Sequence, residues 1–331
     1  MTAETSASDL NRGVHNLLSC LGEVRGQTVA LVTDPGTHEH VARAVRRQLE
    51  EAGALVEPVV MPPAPGTDCE PSAEITAVLA AGEAVVELTT VSIRHSSARQ
   101  KAQEAGVRYL YLGNPDPALF SGEGAIYADF PSQTALVCAL SDRVDAGSRM
   151  RLTSAMGTDV TIDLAGRVGR ALTGMANKPG QFGTPPCLEW GLVPARDGVN
   201  GRLVVDAYAV GLGLLSAPIT VDIVDGRATT ISGGSDSARL RDMLGSAGNA
   251  HAYQVCEIGV GMNPNAQMID DMMSAEAVLG TAHIAVGTTP ADPGVERVDA
   301  GMHIDLVFWR PTITIDDEVV MDEGRLVAAA P

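Results

Sequence analysis

Two regions of different character are predicted for this chain of 331 residues. The first is a small α/β region with an open parallel sheet over 1–148. The second is an α+β, strand-rich region over 149–331. Three observations carry this reading. The length suffices for two hydrophobic cores. Up to about residue 112, short apolar runs alternate with amphipathic helical stretches, and a β-α-β order implies right-handed crossovers and parallel pairing. Beyond residue 148 the pattern changes to alternating apolar and polar residues between glycine-rich turns, which signals hairpins.

The elements follow in order. Residues 6–26 carry an apolar stripe at Leu10, Val14, Leu17, Leu18 and Leu21, spaced for one helix face. GQTVALVTDPG reads as a strand and turn, and HEHVARAVRRQLEEAG as a helix closed by Gly53. ALVEPVVMP is the next strand, followed by a proline-rich loop and a short helix in ITAVLAAG. EAVVELTT, HSSARQKAQEAG and VRYLYLG continue as strand, helix and strand. A helix around 132–146 links the two regions. RLTSAMGTDVTIDLAGR then alternates about a Gly-Thr turn, and RLVVDAYAVG, PITVDIVDGRATTIS and PTITIDDEVVMDEGRLVAA supply further short strands.

Composition excludes several function classes. A formal charge of −18 argues against a nucleic-acid partner, which requires clustered Lys and Arg. The N-terminus has no basic segment followed by an apolar core, and no run reaches the ~18 apolar residues of a membrane helix, so a cytoplasmic protein is expected. Five cysteines without CxxC spacing fit a reduced compartment rather than a disulfide framework. The TDPG turn lacks the GxGxxG pattern, so no dinucleotide site is expected.

The chemistry-bearing residues gather in 251–310. His303 and Asp305 flank Ile304 in MHIDLVF, and in a strand such residues share one face, about 6–7 Å apart. His283, in GTAHIAVG, offers a second imidazole. Two histidines and one carboxylate leave coordination positions open for substrate, water or dioxygen. An H-x-D triplet arises often by chance, so its context must support it. Glu257 supplies that context, since it lies in the apolar run VCEIGVG, where an unpaired carboxylate is costly to bury. Glycines 259, 261, 280 and 287 border these runs and permit close approach. Cys256, one residue before Glu257, is expected on the opposite face, in the core.

Two further residues have a loop context. His95 follows an N-terminal strand and opens a helix, where ligands collect in open α/β sheets, although a surface histidine is the plain alternative. Glu189 lies between PP and VP, on an expected loop that could aim it into a site or leave it solvated. His38 and His40 face apart on a helix and are expected to be exposed.

RLTSAMGTDVTIDLAGR, LEWGLVPARDGVNGRLVVD, CEIGVGMNPNAQ, GTAHIAVG and MHIDLVFWRPTITIDDEVV, in this order, resemble the aminopeptidase T-like metalloproteins. Among these the pattern is most similar to the 2,5-dihydroxypyridine 5,6-dioxygenase branch. The aminopeptidase pattern, two glutamates, two histidines, an aspartate and a tyrosine around two ions, implies Glu189, Glu257, His283, His303 and Asp305 as ligands. The dioxygenase pattern implies a single iron on His283, His303 and Asp305, with His95 near the substrate. The tyrosine is a departure, because HIAVGTTPADPG has none and Pro290 stands near its place. Asp292, Glu296 and Asp299 are the nearest replacements for it.

The resemblance therefore implies a mononuclear non-haem Fe(II) dioxygenase that cleaves a hydroxylated N-heteroaromatic ring. Its partners would be a small aromatic substrate and dioxygen, its proton-moving groups His95 or Glu189, its assembly a homo-oligomer. Zinc, cobalt or manganese suit the same donors. A two-metal aminopeptidase acting on short peptides is the second reading, and a redirected or inactive relative the third.

Overall fold

Buried runs with no polar alternation form the inner strands of the first parallel sheet, as expected of strands covered on both faces. The structure, a computed structural model, describes residues 6–64, 69–94, 96–113, 115–120, 122, 124–290 and 295–327. In chain order come α1 (Ala7–Ser19), β1 (Thr28–Thr33), α2 (Glu39–Glu51), β2 (Leu55–Val60), α3 (Ala73–Ala81), β3 (Ala84–Glu87), α4 (Ser97–Glu104), β4 (Arg108–Tyr111) and α5 (Phe130–Ala146). Ser6, Ser72 and Ser96 cap α1, α3 and α4 through their side chains. Helix α1 stops at Ser19, short of the expected residue 26, and Gly22 and Gly26 turn the chain at φ +77° and +72°.

The remaining strands are β5 (Arg149–Thr153), β6 (Asp159–Asp163), β7 (Gly169–Leu172), β8 (Phe182–Gly183), β9 (Glu189–Leu192), β10 (Val199–Val205), β11 (Tyr208–Ala209) and β12 (Gly213–Leu214). After them come β13 (Ile219–Val224), β14 (Arg227–Gly233), α6 (Ser235–Ser246), β15 (Val255–Gly261), α7 (Met272–Ala277), β16 (Thr281–Gly287) and β17 (His303–Trp309). The chain closes with β18 (Thr312–Ile315), β19 (Glu318–Asp322) and β20 (Arg325–Leu326).

Two compact units result: Met1–Thr134 with Leu172–Pro186, and Ala135–Ala171 with Cys187–Pro331. A single boundary near 148 is therefore replaced by a crossing inside α5 and a return of 172–186 to the first unit. The return has a cause in β8, which pairs in parallel with β4 through Tyr109↔Phe182 and Leu110↔Gly183. The first unit holds the parallel sheet β2-β1-β3-β4-β8, with Val32, Val85, Ile93 and Tyr109 in its core. At the C-terminal strand ends two carboxylates tie the loops. Asp34 accepts from Thr90 N, Thr90 Oγ1 and Val91 N at 2.7, 2.8 and 3.0 Å. Glu87 accepts from Thr89 Oγ1, Ile93 N and the Tyr109 hydroxyl at 2.7, 2.8 and 2.6 Å.

The second unit is strand-rich. Eight strands run β14-β13-β10-β6-β5-β18-β19-β20, including the expected hairpin β5–β6. The β13–β14 turn places Asp225 and Gly226 at φ 47° and 68°, the left-handed pair that a two-residue hairpin demands. Seven strands run β12-β11-β17-β16-β15-β9-β7, and the pairings from β12 to β9 are antiparallel. No helix among the described residues is long and apolar enough to cross a membrane.

Candidate metal centre

Strand register assembles the centre. His283 pairs with Gly259 on β15 and Val307 on β17, while Ala285 lies between Glu257 and Asp305. Gly287 pairs with His303, and Glu189 on β9 pairs with Gly261. Side chains of paired residues share a face, so period two puts Glu189, Glu257, His283, His303 and Asp305 on one side of four adjacent strands. The positions among them are Gly191, Gly259, Gly261, Ala285 and Gly287, which leave room over the sheet. At Gly259 the need is steric: an added Cβ would stand 2.2 Å from His283 Cε1 and 2.7 Å from Glu189 Oε1.

The donor atoms converge. His303 Nε2 lies 3.2 Å from Asp305 Oδ1 and 3.2 Å from Glu257 Oε2. His283 Nε2 lies 3.7 Å from the same Asp305 oxygen and 3.9 Å from Glu189 Oε2. Among the described residues, three sets have donors mutually within 4.8 Å: Glu257–His303–Asp305, Glu189–Glu257–His283 and Cys187–Glu189–Glu276. The expected trio of His283, His303 and Asp305 is thus bridged by Asp305 but split between two sets, and Glu257 belongs to both. His303 Nδ1 is 2.7 Å from the Thr288 carbonyl, which can only accept, so Nδ1 carries hydrogen and Nε2 faces the cluster. That outer contact orients a ligating imidazole.

Charge and burial pull these groups apart. Burial, reinforced by Glu257 and Glu276, pushes the Glu189 carboxyl well above the usual range. Burial also acts against an ionised Glu257, but the Arg170 guanidinium and His303 outweigh it and hold that carboxyl low. Asp305 is likewise drawn down against its burial by His303 and His283. Burial opposes a charged His303, yet Asp305 and Glu257 raise it well above 6.5.

The residues fit a divalent cation. Glu189 Oε1 and His283 Nδ1 are buried with no hydrogen-bond partner, and an acid kept protonated by its neighbours is what a cation would ionise. Three strand carboxyls, Glu189, Glu257 and Asp305, and two imidazoles gather in one buried cluster, the donor types a divalent ion takes. The contributions of Asp305 and Glu257 are present above their unfolded values, 3.8 and 4.5, and vanish as pH falls through the folded ones. Those of Glu189 and His303 are complete below 4.5 and 6.5 and are lost as pH rises through the raised values. Metal-free protein is therefore expected to lose thermal stability as pH rises above 6.5, where both groups have passed their unfolded values, and added ion to restore it while releasing protons. Melting curves with and without ion check this; parallel pH profiles would contradict it.

The structure differs from the sequence-based expectations at several residues. Glu189 opens strand β9 and is only 2% exposed, rather than lying on a loop, because EWGL pairs across to β15. Cys256 sits in a β-bulge between Val255 and Glu257, so strict alternation fails and its Sγ comes 3.6 Å from His303 Nδ1. Arg170, Cys187 and Glu276 had no sequence signal; Arg170 donates to Glu257 Oε1 from edge strand β7. Glu296 pairs with Arg196 at 3.3 Å on the surface and Asp299 is exposed, so neither supplies a missing ligand. Asp292 and His95 lie outside the described residues. His38 and His40 are exposed, as expected.

A parallel-sheet unit followed in the chain by a strand-rich antiparallel one is a fold shared with aminopeptidase T. AmpT from Thermus thermophilus superposes with a TM-score of 0.67 at 17% identity, covering 97% of this chain and 99% of that one. The solved 2,5-dihydroxypyridine dioxygenase from Pseudomonas putida KT2440 gives a TM-score of 0.84 at 22% identity, covering 98% of each. A curated 2,5-dihydroxypyridine 5,6-dioxygenase from Pseudomonas putida (strain KT2440) is 25% identical over 327 residues, 91% of both chains. The chain belongs to the NicX, 2,5-dihydroxypyridine 5,6-dioxygenase, family, whose pattern matches residues 15–328.

Proposed function

We propose that this protein is a metal-dependent dioxygenase that opens a hydroxylated N-heteroaromatic ring of the 2,5-dihydroxypyridine type. The observation that carries the reading is the family match over residues 15–328. The buried donor cluster supports it. Iron(II) is the ion proposed, held by His303, Asp305 and Glu257 with His283 and Glu189 beside them; zinc, cobalt and manganese suit the same donor types. When bound, iron(II) supplies one-electron chemistry toward dioxygen and a Lewis-acid contact for a substrate hydroxyl.

The chain's own groups do the remaining work. Thr288 fixes the His303 ring. Tyr208, Val307 and Trp309, with Met268 and Met272, form an apolar group on the C-terminal half of β17, beyond Asp305, suited to the face of an aromatic ring. The Glu189 carboxyl, pushed well above the usual range by burial, is a group that can exchange a proton with a substrate hydroxyl. His95 stays in the proposal on its sequence context alone.

Protein purified without oxygen and loaded with iron(II) is expected to consume about one dioxygen per 2,5-dihydroxypyridine, with loss of the ring absorbance. The set Glu189–Glu257–His283 beside Glu257–His303–Asp305 favours a second reading, a two-ion hydrolase with Glu257 between the ions. No oxygen uptake with iron, together with brisk cleavage of leucine anilides with cobalt or zinc, would move the assignment there.

A further inference from the structure

The two donor sets overlap at one carboxylate, Glu257, and a two-ion centre needs such a group to bridge its cations. In this chain the two Glu257 oxygens are already divided. Oε2 faces His303 Nε2 at 3.2 Å, on the side of Asp305. Oε1 receives Nη1 of Arg170. The Arg170 side chain is 15% exposed and that of Glu257 9%, so the pair is held inside the sheet face rather than lying loosely on it. A guanidinium keeps its charge at every accessible pH and presents donors in a fixed fork, so it cannot yield this oxygen by deprotonating.

We propose that Arg170 restricts the centre to one divalent ion by holding the Glu257 oxygen that a second ion would need. This proposal rests on the metal reading given above and adds a determinant for it on β7, an edge strand that contributes no metal donor. Arg170 is a positioning residue: it fixes which oxygen of Glu257 faces His303, and its charge repels a second cation near His283 and Glu189. The run 284–301 contains no tyrosine whose phenolate would offset a second ion, and Arg170 adds a permanent cation beside Glu257.

Metal-free protein titrated with cobalt(II) tests this, with stoichiometry read by calorimetry and by the visible bands of the bound ion. Wild type is expected to take one tight equivalent, Arg170→Gln two, and Arg170→Lys, which keeps the charge, one. One equivalent in both wild type and Arg170→Gln overturns the role of Arg170 and leaves the metal reading intact. Two equivalents in wild type or in Arg170→Lys also overturn it. No uptake by wild type removes the metal reading, and this proposal with it. Should metal-free Arg170→Gln fail to fold, refolding it in cobalt(II) decides the matter: two retained equivalents support the role and one overturns it.

Discussion

Asp305→Ala is expected to lower metal affinity by more than about 100-fold, a loss beyond that of removing an outer contact to a ligand. Asp305 Oδ1 lies within 4 Å of both His303 Nε2 and His283 Nε2. The residue is 3% exposed at the centre of β17, and Ala285 beside it leaves the carboxylate facing Glu257 across the sheet. Among the described residues it is the carboxylate with an oxygen within 4 Å of both imidazoles, whereas Glu257 comes that close to His303 and Glu189 to His283. The fold is expected to persist. Strand β17 keeps its ladders to β16 and β11, and alanine fills part of the volume without leaving a charge of its own. His303 retains Glu257 as a counter-charge. Metal content after dialysis, compared with the circular dichroism of the same sample, checks both halves. Full metal retention in the variant would remove Asp305 from the centre.

The parts of this centre that were legible in the sequence share one physical signature. His283, His303, Asp305 and Glu257 interrupt apolar runs at strand spacing, and a polar group at a core position requires compensation. Period two then fixes their common face before any partner strand is known. Glu189 carried no such signature. EWGL is four residues long, has no alternation, and is a strand only because β15 pairs with it. The bulge at Cys256 was equally hidden, since an extra residue in a ladder depends on the register of its neighbour. Arg170 is a lone cation on a four-residue edge strand, and its meaning comes wholly from the partner it meets two strands away, across β9. In the first unit the helices and parallel strands followed from caps and local periodicity. Its inclusion of 172–186 did not, because that depends on the non-local pair β4–β8.

Gly259→Ala is expected to weaken metal binding although no donor atom is removed. An alanine Cβ there would stand 2.2 Å from His283 Cε1, 2.3 Å from His283 Nε2 and 2.7 Å from Glu189 Oε1. Real Cβ atoms do not approach so closely, and the ring cannot swing aside freely because His283 is 1% exposed. The backbone is also fixed on both flanks, with Gly259 paired to Gly191 on β9 and to His283 itself on β16. Relief must come from turning the imidazole and the Glu189 carboxylate away from the cluster. Overpacking of this kind costs about 1–3 kcal/mol in stability. It also displaces two of the five donors, so affinity is expected to fall by about 10–100-fold or more, as for lost ligand orientation. Gly261→Ala is a poor control, since its Cβ would meet backbone at Val278 O, 2.3 Å away. Gly106→Ala, where nothing lies within 4 Å but φ is +87°, reports the cost of backbone strain alone. Calorimetric metal titration and melting temperatures of the two variants separate the effects: Gly106→Ala is expected to melt lower with its metal affinity intact, whereas Gly259→Ala loses both. Unchanged metal affinity in Gly259→Ala would show that the space above β15 is not what lets His283 and Glu189 meet.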